Sequence, residues 1–276
     1  MEYKEFLKTT LPHLGLRWRR FKRKSIRKRI IGRMQQLNLH TWGAYRSHLL
    51  EYEEERYLLT SILNVTISRF WRNRSLFQKL EDVWLPALLE SMGPEESVRI
   101  WSAGCASGEE PYSLLILWEE SFAHSGRRLH LLASDSDSHC LERAQQARYP
   151  ASSFREMPLD LRQKYCIHER GTFSLRGDLT ERIEWLEHNL IRGAPPLNNH
   201  FIFCRNLVYT YFTDSLQQEI TRRFHHALAA HGFLVVGRKD RLPHGTEGLF
   251  RLVDHPVYQK LDVPGAVSRE FEGVKS

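Results

Sequence analysis

Several large function classes are excluded by what this chain does not contain. Its four cysteines, Cys105, Cys140, Cys166 and Cys204, stand far apart with no CxxC pair. That spacing offers no zinc framework and suits a reducing compartment. No apolar run approaches the ~20 residues that a membrane-spanning helix requires. The opening residues, MEYKEFLKTTLPHLG, lack the apolar core of a secretion signal, so a cytoplasmic location without membrane insertion is expected. Neither GxxxxGK nor GxGxxG occurs, which sets aside the common phosphate and dinucleotide loops. HExxH, GxSxG and a Cys/His nucleophile arrangement are missing too, and no metal site is expected.

What is present is an ordinary globular composition, 41% hydrophobic and 26% charged, in 276 residues. The net charge of +7 is concentrated near the N-terminus. Between Arg17 and Arg33, ten of the seventeen residues are Lys or Arg. Ile26, Ile30, Met34 and Leu37 recur on one helical face through that stretch. Further helical patterns cover Trp42–Leu50, Glu54–Leu63 and Leu76–Leu89, and Ser91-Met92-Gly93-Pro94 breaks them. Residues 1–90 are therefore expected to form a small, basic, all-α domain.

From Val98 the pattern alternates. Strands are expected at Val98–Ser102, His130–Ser134, Ile183–Leu186, Phe201–Cys204, Phe233–Gly237 and Val257–Leu261. Helices are expected at Pro111–Phe122, Ser138–Ala147, Asp160–Tyr165 and Ser215–Ala229. Such alternation specifies an α/β domain over residues 91–276, a doubly wound and mostly parallel sheet. Near residues 150–183 it carries a small insertion, with a hairpin over Thr172–Arg176 bracketed by Gly171 and Gly177.

Ligands of such sheets sit beyond the carboxyl ends of the strands. After the first strand comes Ala103-Gly104-Cys105-Ala106-Ser107-Gly108-Glu109-Glu110-Pro111. Its small residues let a ligand lie against bare backbone. The two acids argue against phosphate and for a cationic, hydroxyl-bearing ligand, a description that S-adenosylmethionine meets. Asp135, after the second strand, suits a pair of ribose hydroxyls, although a helix N-cap is an equally simple role for it. Asn189-Leu190 after the third strand offers an amide and an apolar face to adenine, or merely a turn. After the fourth comes Cys204-Arg205-Asn206-Leu207, where Arg205 reads either as functional or as a structural ion pair.

The ordered segments SRFWR, RIWSAGCASGEEPYS, ASDSD, EHNL, FCRNL with its following YF, and LAAHGFLVVG resemble the CheR family of chemotaxis protein-glutamate O-methyltransferases. That resemblance implies a Rossmann-like, class I S-adenosylmethionine-dependent methyltransferase fold, with glutamate side chains of chemoreceptors as substrate. It implies cofactor contacts from Thr66, Ser68, Arg72, Ala103, Gly104, Glu110, Asp135, Asn189, Leu190, Asn206 and Leu207. Arg72 and Tyr211 take the catalytic positions. The chain departs from the family at several points. Ser68 replaces a threonine and Trp71 a phenylalanine. One extra residue precedes Phe212, so Tyr209 competes with Tyr211. GRKD at Gly237–Asp240 replaces GHSE, which implies loss of the acid–His chemistry there. Cys166–Ile183 looks short for a receptor-docking β-subdomain.

The Arg17–Arg33 cluster suits an acidic helical protein partner. Nucleic acid is the weaker reading, because aromatic residues in the cluster are limited to Trp18 and Phe21. Two other functions compete with the family's own. Asn206-Leu207-Val208-Tyr209 loosely resembles the NPPY loop of nucleic-acid methyltransferases, without its prolines. A non-catalytic cofactor-binding module is the other.

Overall fold

The computed structural model describes residues 1–63, 68–93 and 95–262. Its centre is a seven-stranded sheet. The strands in chain order are β1 (Val98–Ala103), β2 (Leu129–Asp135), β3 (Arg148–Pro150), β4 (Cys166–Glu169), β5 (Thr172–Leu175), β6 (Ile183–Glu187), β7 (Asn199–Cys204), β8 (Leu228–Val236), β9 (Phe250–Asp254) and β10 (Val257–Lys260). Spatial order in the large sheet is β6-β2-β1-β7-β8-β10-β9. Pairing is parallel from β6 through β8 and antiparallel for β10 with both neighbours. Chain order reverses direction across β1 and β7, so the switch point of the sheet lies between them.

Side chains alternate between the two faces with the period of a strand. Ile100, Phe201, Phe203, Phe233 and Val235 pack on one face, with the helix Glu109–Ser121 and the residues from Phe70 to Leu88. Trp101, Ile202, Cys204, Leu234 and Val236 pack on the other, with the helix Asp214–Ala227 and the N-terminal helices. β7 is buried along its whole length, which is why its Phe201–Cys204 part reads in sequence as an apolar run, after the buried polar pair Asn199 and His200. The expected strands are all present, with ends moved by a few residues. β9 is an additional strand, and β8 begins at Leu228, directly after the helix Asp214–Ala227.

Two expectations need correction. The Leu76–Leu89 pattern is not one regular helix but Arg74–Lys79, a π-helical stretch Leu80–Trp84, and Leu85–Ser91. Pro86, near the start of the last piece, cannot donate to the ladder, which accounts for the changed spacing just ahead of it. The segment Cys166–Ile183, judged short for a β-subdomain, contributes β4 and β5 to a three-stranded antiparallel sheet, β3-β5-β4, which β3 from earlier in the chain completes. Its hairpin turns on Arg170 and Gly171, both with positive φ (49° and 82°), as a two-residue loop requires.

The basic N-terminal helix Lys24–Gln36 buries Ile26, Ile30 and Met34, as its periodicity requires. Arg33 does not belong to the solvated cationic face. It points to Glu55, only 4% exposed, with Nη2 2.7 Å from Oε2 and Nε 3.1 Å from Oε1. Tyr45 donates to the same carboxylate at 2.8 Å. Truncating one member of so enclosed a pair strands the other, at a typical cost of about 2–4 kcal/mol. Glu55→Ala is expected to lower the urea-unfolding free energy by about that amount. An exposed control such as Glu54→Ala should change it by less than ~0.5 kcal/mol.

Candidate active site

The carboxyl ends of β1, β2, β6 and β7 meet at one rim, and a cavity of about 320 Å³ opens there. The Ala103–Gly108 loop is drawn onto β2 by Gly104 and Cys105, whose N–H groups both donate to Ser134 O at 2.8 and 2.9 Å. Gly104 has φ +83°, and a Cβ there would lie 2.3 Å from Leu207 Cδ2. Only glycine lets the β1 loop and the β7 loop approach so closely.

Asp135 closes the loop from below. Its Oδ2 accepts from Ala106 N at 2.9 Å and its Oδ1 from Asp137 N at 3.1 Å. The N-cap of the next helix is Asp137, which accepts from His139 N, so Asp135 is not the cap. Burial raises the Asp135 pKa above the usual aspartate value, against the pull of those backbone donors.

Glu110 lies on the first turn of the helix Glu109–Ser121. Its Oε1 accepts from Ser102 Oγ at 2.8 Å and its Oε2 from Arg205 Nη1 at 2.9 Å. Arg205 is 5% exposed and Glu110 12%. The other guanidinium nitrogen of Arg205 donates to the carbonyl of Arg72 at 2.6 Å. The structural reading of Arg205 is thus correct, yet the residue also lines the cavity. Burial, then the neighbouring Arg205 charge, lowers the Arg72 pKa, while Glu110 opposes that shift.

Arg72 follows a tightly held segment. Trp71 (φ 53°) and Asn73 (φ 72°) occupy the left-handed region, uncommon for such side chains. Hydrogen bonds hold both: Trp71 N to Ser113 Oγ at 3.1 Å, and Asn73 N to Glu156 Oε2 at 2.9 Å. Trp71 is buried against Phe77, and Arg72 lines the cavity.

On the β7 side, Asn206 (φ 57°) and the short helix Val208–Tyr211 form the wall. Buried Asp240 holds them. Its Oδ2 accepts from Asn206 N and Gly237 N, both at 3.0 Å, and its Oδ1 from Thr210 Oγ1 at 2.8 Å. The GRKD segment has therefore kept an acid with a definite task. Tyr209 is in the core, bonded to Thr221 Oγ1 at 3.2 Å, whereas Tyr211 lines the cavity. On the β6 side, Asn189 Oδ1 accepts from Ile191 N at 2.9 Å, so it both makes a turn and faces the cavity beside Leu190.

Of the residues singled out in sequence, Ser68, Arg72, Gly104, Glu110, Asp135, Asn189, Leu190, Asn206, Leu207 and Tyr211 line this one cavity. Ala103 does not; it is buried in the core at the end of β1. Thr66 lies outside the described residues. The cavity also has walls that sequence did not assign to it, among them Leu16, Phe21 and Arg23 from the N-terminal region. They are stapled to the β7 loop. Leu16 and Phe212 form an antiparallel bridge, with Arg17 N donating to Tyr211 O at 2.7 Å and Thr213 N to Gly15 O at 2.8 Å. Arg17 also pairs with Asp214. His188 is a further lining group, its pKa lowered by burial.

Comparison with known proteins gives a coherent result. The family model for the CheR methyltransferase, SAM binding domain, matches residues 66–259. A chemotaxis protein methyltransferase of Listeria innocua is 29% identical over 244 residues, covering 87% of this chain and 90% of that protein. Another, of Escherichia coli, is 29% identical over 247 residues, covering 86% and 82%. Chemotaxis protein methyltransferase 2 of Pseudomonas aeruginosa is 29% identical over 238 residues, covering 83% and 82%.

The close contact at Gly104 makes a direct test of the cavity possible. Gly104→Ala forces Leu207 to shift and strains the loop. Calorimetry with S-adenosylhomocysteine is expected to show affinity reduced by about tenfold or more, on a protein whose circular dichroism is unchanged.

Proposed function

The chain belongs to the CheR methyltransferase family and uses S-adenosylmethionine, and on that premise we propose that it methylates glutamate side-chain carboxylates of a chemoreceptor-like protein, giving methyl esters. The observation that carries this reading is the joint presence, lining one cavity, of two acidic residues and an arginine, Glu110, Asp135 and Arg72. Glu110 and Asp135 suit a cationic cofactor with ribose hydroxyls, and Arg72 suits an incoming carboxylate. The glycine-floored loop and the apolar Leu190 are consistent with a nucleoside lying across the rim.

When bound, S-adenosylmethionine supplies an electrophilic methyl on a sulfonium centre. The protein's task is then alignment and exclusion of water. A substrate glutamate, with an ordinary pKa near ~4.3, is already ionised at neutral pH and needs no general base. Arg72 holds the carboxylate as a planar fork and leaves one oxygen free to attack. Too tight a clamp would stabilise the anion, so its contribution is orientation. Tyr211 packs beside the reacting group and donates one hydrogen bond. Asp135 would accept from the ribose, and Asn189-Leu190 and Asn206-Leu207, which line the same cavity, would frame the adenosine and the substrate mouth. Because the attacking carboxylate is already an anion, these residues would be required to align it and exclude water, and none of them to move a proton.

The partner is proposed to be an acidic helix. Arg19, Lys22, Lys24, Arg27 and Lys28 are exposed, and the same stretch reaches the cavity through Phe21 and Arg23. Such a surface raises association rates and loses effect with salt. The side chains of Arg19 and Lys22 lie over the Trp18 ring, 5.2 and 4.7 Å from its centroid. That leaves the ring less able to stack on a nucleic-acid base.

Incubating the purified protein with radiolabelled cofactor and a receptor's cytoplasmic helices is expected to give base-labile label on the receptor. Label that survives base, or that enters RNA, contradicts the proposal. Arg72→Ala should lower kcat/KM by about a hundredfold, with Arg72→Lys recovering part of it and S-adenosylhomocysteine affinity little changed. Cofactor affinity should also fall on acidification. The ionised form of Asp135 is the acceptor, and burial holds its proton to higher pH than usual. The loss therefore begins above the ordinary aspartate range of about 4, and calorimetry across pH 4–7 on wild type and Asp135→Asn would show it.

A further inference from the structure

Arg72 is held by its backbone from three directions. Ahead of it, Trp71 N donates to Ser113 Oγ at 3.1 Å. Its own carbonyl accepts from Arg205 Nη2 at 2.6 Å. Ser113 belongs to the helix Glu109–Ser121 and Arg205 to the loop after β7, both part of the large sheet's framework. The third hold has a different origin. Asn73 N donates to the side chain of Glu156, 2.9 Å from Oε2. Asn73 has φ 72°, a conformation that persists only where its surroundings over-determine it.

Glu156 lies between β3 and β4, just past the turn Ala151–Phe154, in the part of the chain that carries the small sheet. It is 31% exposed, yet its carboxylate is not left to water. Besides Oε2 on Asn73 N, Oε1 is 3.5 Å from Nη1 of Arg69, a second cation lining the cavity. The Glu156 carbonyl accepts from Arg74 Nε. The same stretch meets the segment at its start, where Phe70 N donates to Ser153 O at 2.9 Å and the Phe70 and Phe154 rings stack 4.5 Å apart. Ser153 is anchored in turn, its hydroxyl donating to the buried Glu109 at 3.3 Å. Residues 69–74 thus ride on this stretch, and Glu156 engages Arg69, Asn73 and Arg74 at once.

We infer that Glu156 positions Arg72: by holding the N–H of the next residue, it fixes the peptide from which the guanidinium reaches the cavity. A charged acceptor makes a stronger bond to a backbone N–H than a neutral one. With the N–H groups on both sides of Arg72 held, its Cα has little freedom to turn. A small backbone rotation is amplified at the far end of so long a side chain, and about an ångström of misplacement can cost roughly a hundredfold in rate. Glu156 also acts on Arg72 through charge. Burial lowers the Arg72 pKa most and Arg205 and Arg69 lower it further, while Glu110 and Glu156 oppose them.

The inference rests on the proposed role of Arg72, and the experiment keeps the two apart. Amide hydrogen exchange at Asn73 and nitrogen relaxation of the Arg72 Nε–H are measured in wild type, Glu156→Ala and Glu156→Gln. Methyl-transfer kinetics on a receptor's cytoplasmic helices accompany them. Glu156→Ala, which removes the acceptor, is expected to speed Asn73 exchange by about tenfold and to increase the motion of Arg72 Nε. Its kcat should fall about tenfold, with S-adenosylhomocysteine affinity held within about twofold. Glu156→Gln keeps an oxygen for Asn73 N and gives up the charge toward Arg69, and it should recover most of both losses. In an Arg72→Ala background, Glu156→Ala should lower kcat no further, because the residue through which it acts is gone. If Glu156→Ala does not fold, Glu156→Met, of similar length and without an acceptor, takes its place.

Unchanged Asn73 exchange, or an unchanged Arg72 Nε signal, in the variant without the acceptor overturns the inference. So do losses that multiply in the double variant, or a Gln variant no better than the Ala variant. A wild-type protein that transfers no methyl to any carboxylate overturns the proposed function instead. In that case exchange at Asn73 and relaxation at Arg72 Nε decide by themselves whether Glu156 positions the arginine.

Discussion

The ion pair between Arg205 and Glu110 is the interaction on which the cavity depends. Both partners are largely withdrawn from water, so each would be costly alone, and their attraction is strong because so little solvent screens it. Arg205 comes from the end of β7 and Glu110 from the helix that follows β1. Through its second nitrogen Arg205 also reaches the carbonyl of Arg72. One side chain therefore fixes three separate pieces of chain at the switch point of the sheet. Such a pair adds little to net stability over an apolar replacement. What it confers is a single relative placement of the parts, with Glu110 lining the cavity.

The same logic recurs on the cavity's flanks, each time with an enclosed acid that accepts backbone N–H groups. Asp240 ties the turn after β8 to Asn206 and Thr210, giving the β7 loop its shape. Asp135 does so for the Ala103–Gly108 loop. In this family of sheets the strands supply rigidity and the loops supply chemistry, and carboxylates accepting backbone N–H groups convert the first into the second.

Much of this was legible in sequence, for reasons that can be named. β1 and β7 are central, parallel and buried on both faces, so they appear as apolar runs that end abruptly in small or polar residues. The functional positions follow those endings, and order along the chain then places them on one rim. Legibility failed where structure depends on contacts distant in sequence. β9 lies at the sheet's edge with exposed Leu252 and Val253, and its residues do not alternate. Asp240 and Glu109 look like surface acids until their partners are known. Tyr209 and Tyr211 could not be separated by composition, because a short helix decides which one faces inward. Arg33 sits among nine other cationic residues, and nothing local distinguishes the one that turns toward Glu55.

The bridge between Leu16 and Phe212 has a bearing on how the protein comes into being. Leu16 leaves the ribosome long before Phe212, so the roof of the cavity must wait, unpaired, for its other half. Contacts of such wide separation form late and slowly. Until then the arginine-rich stretch has nothing to shut against, and the nascent enzyme is a grip without a palm. Closure of that roof thus waits until the last parallel strands are in place and the N-terminal helices can pack over them.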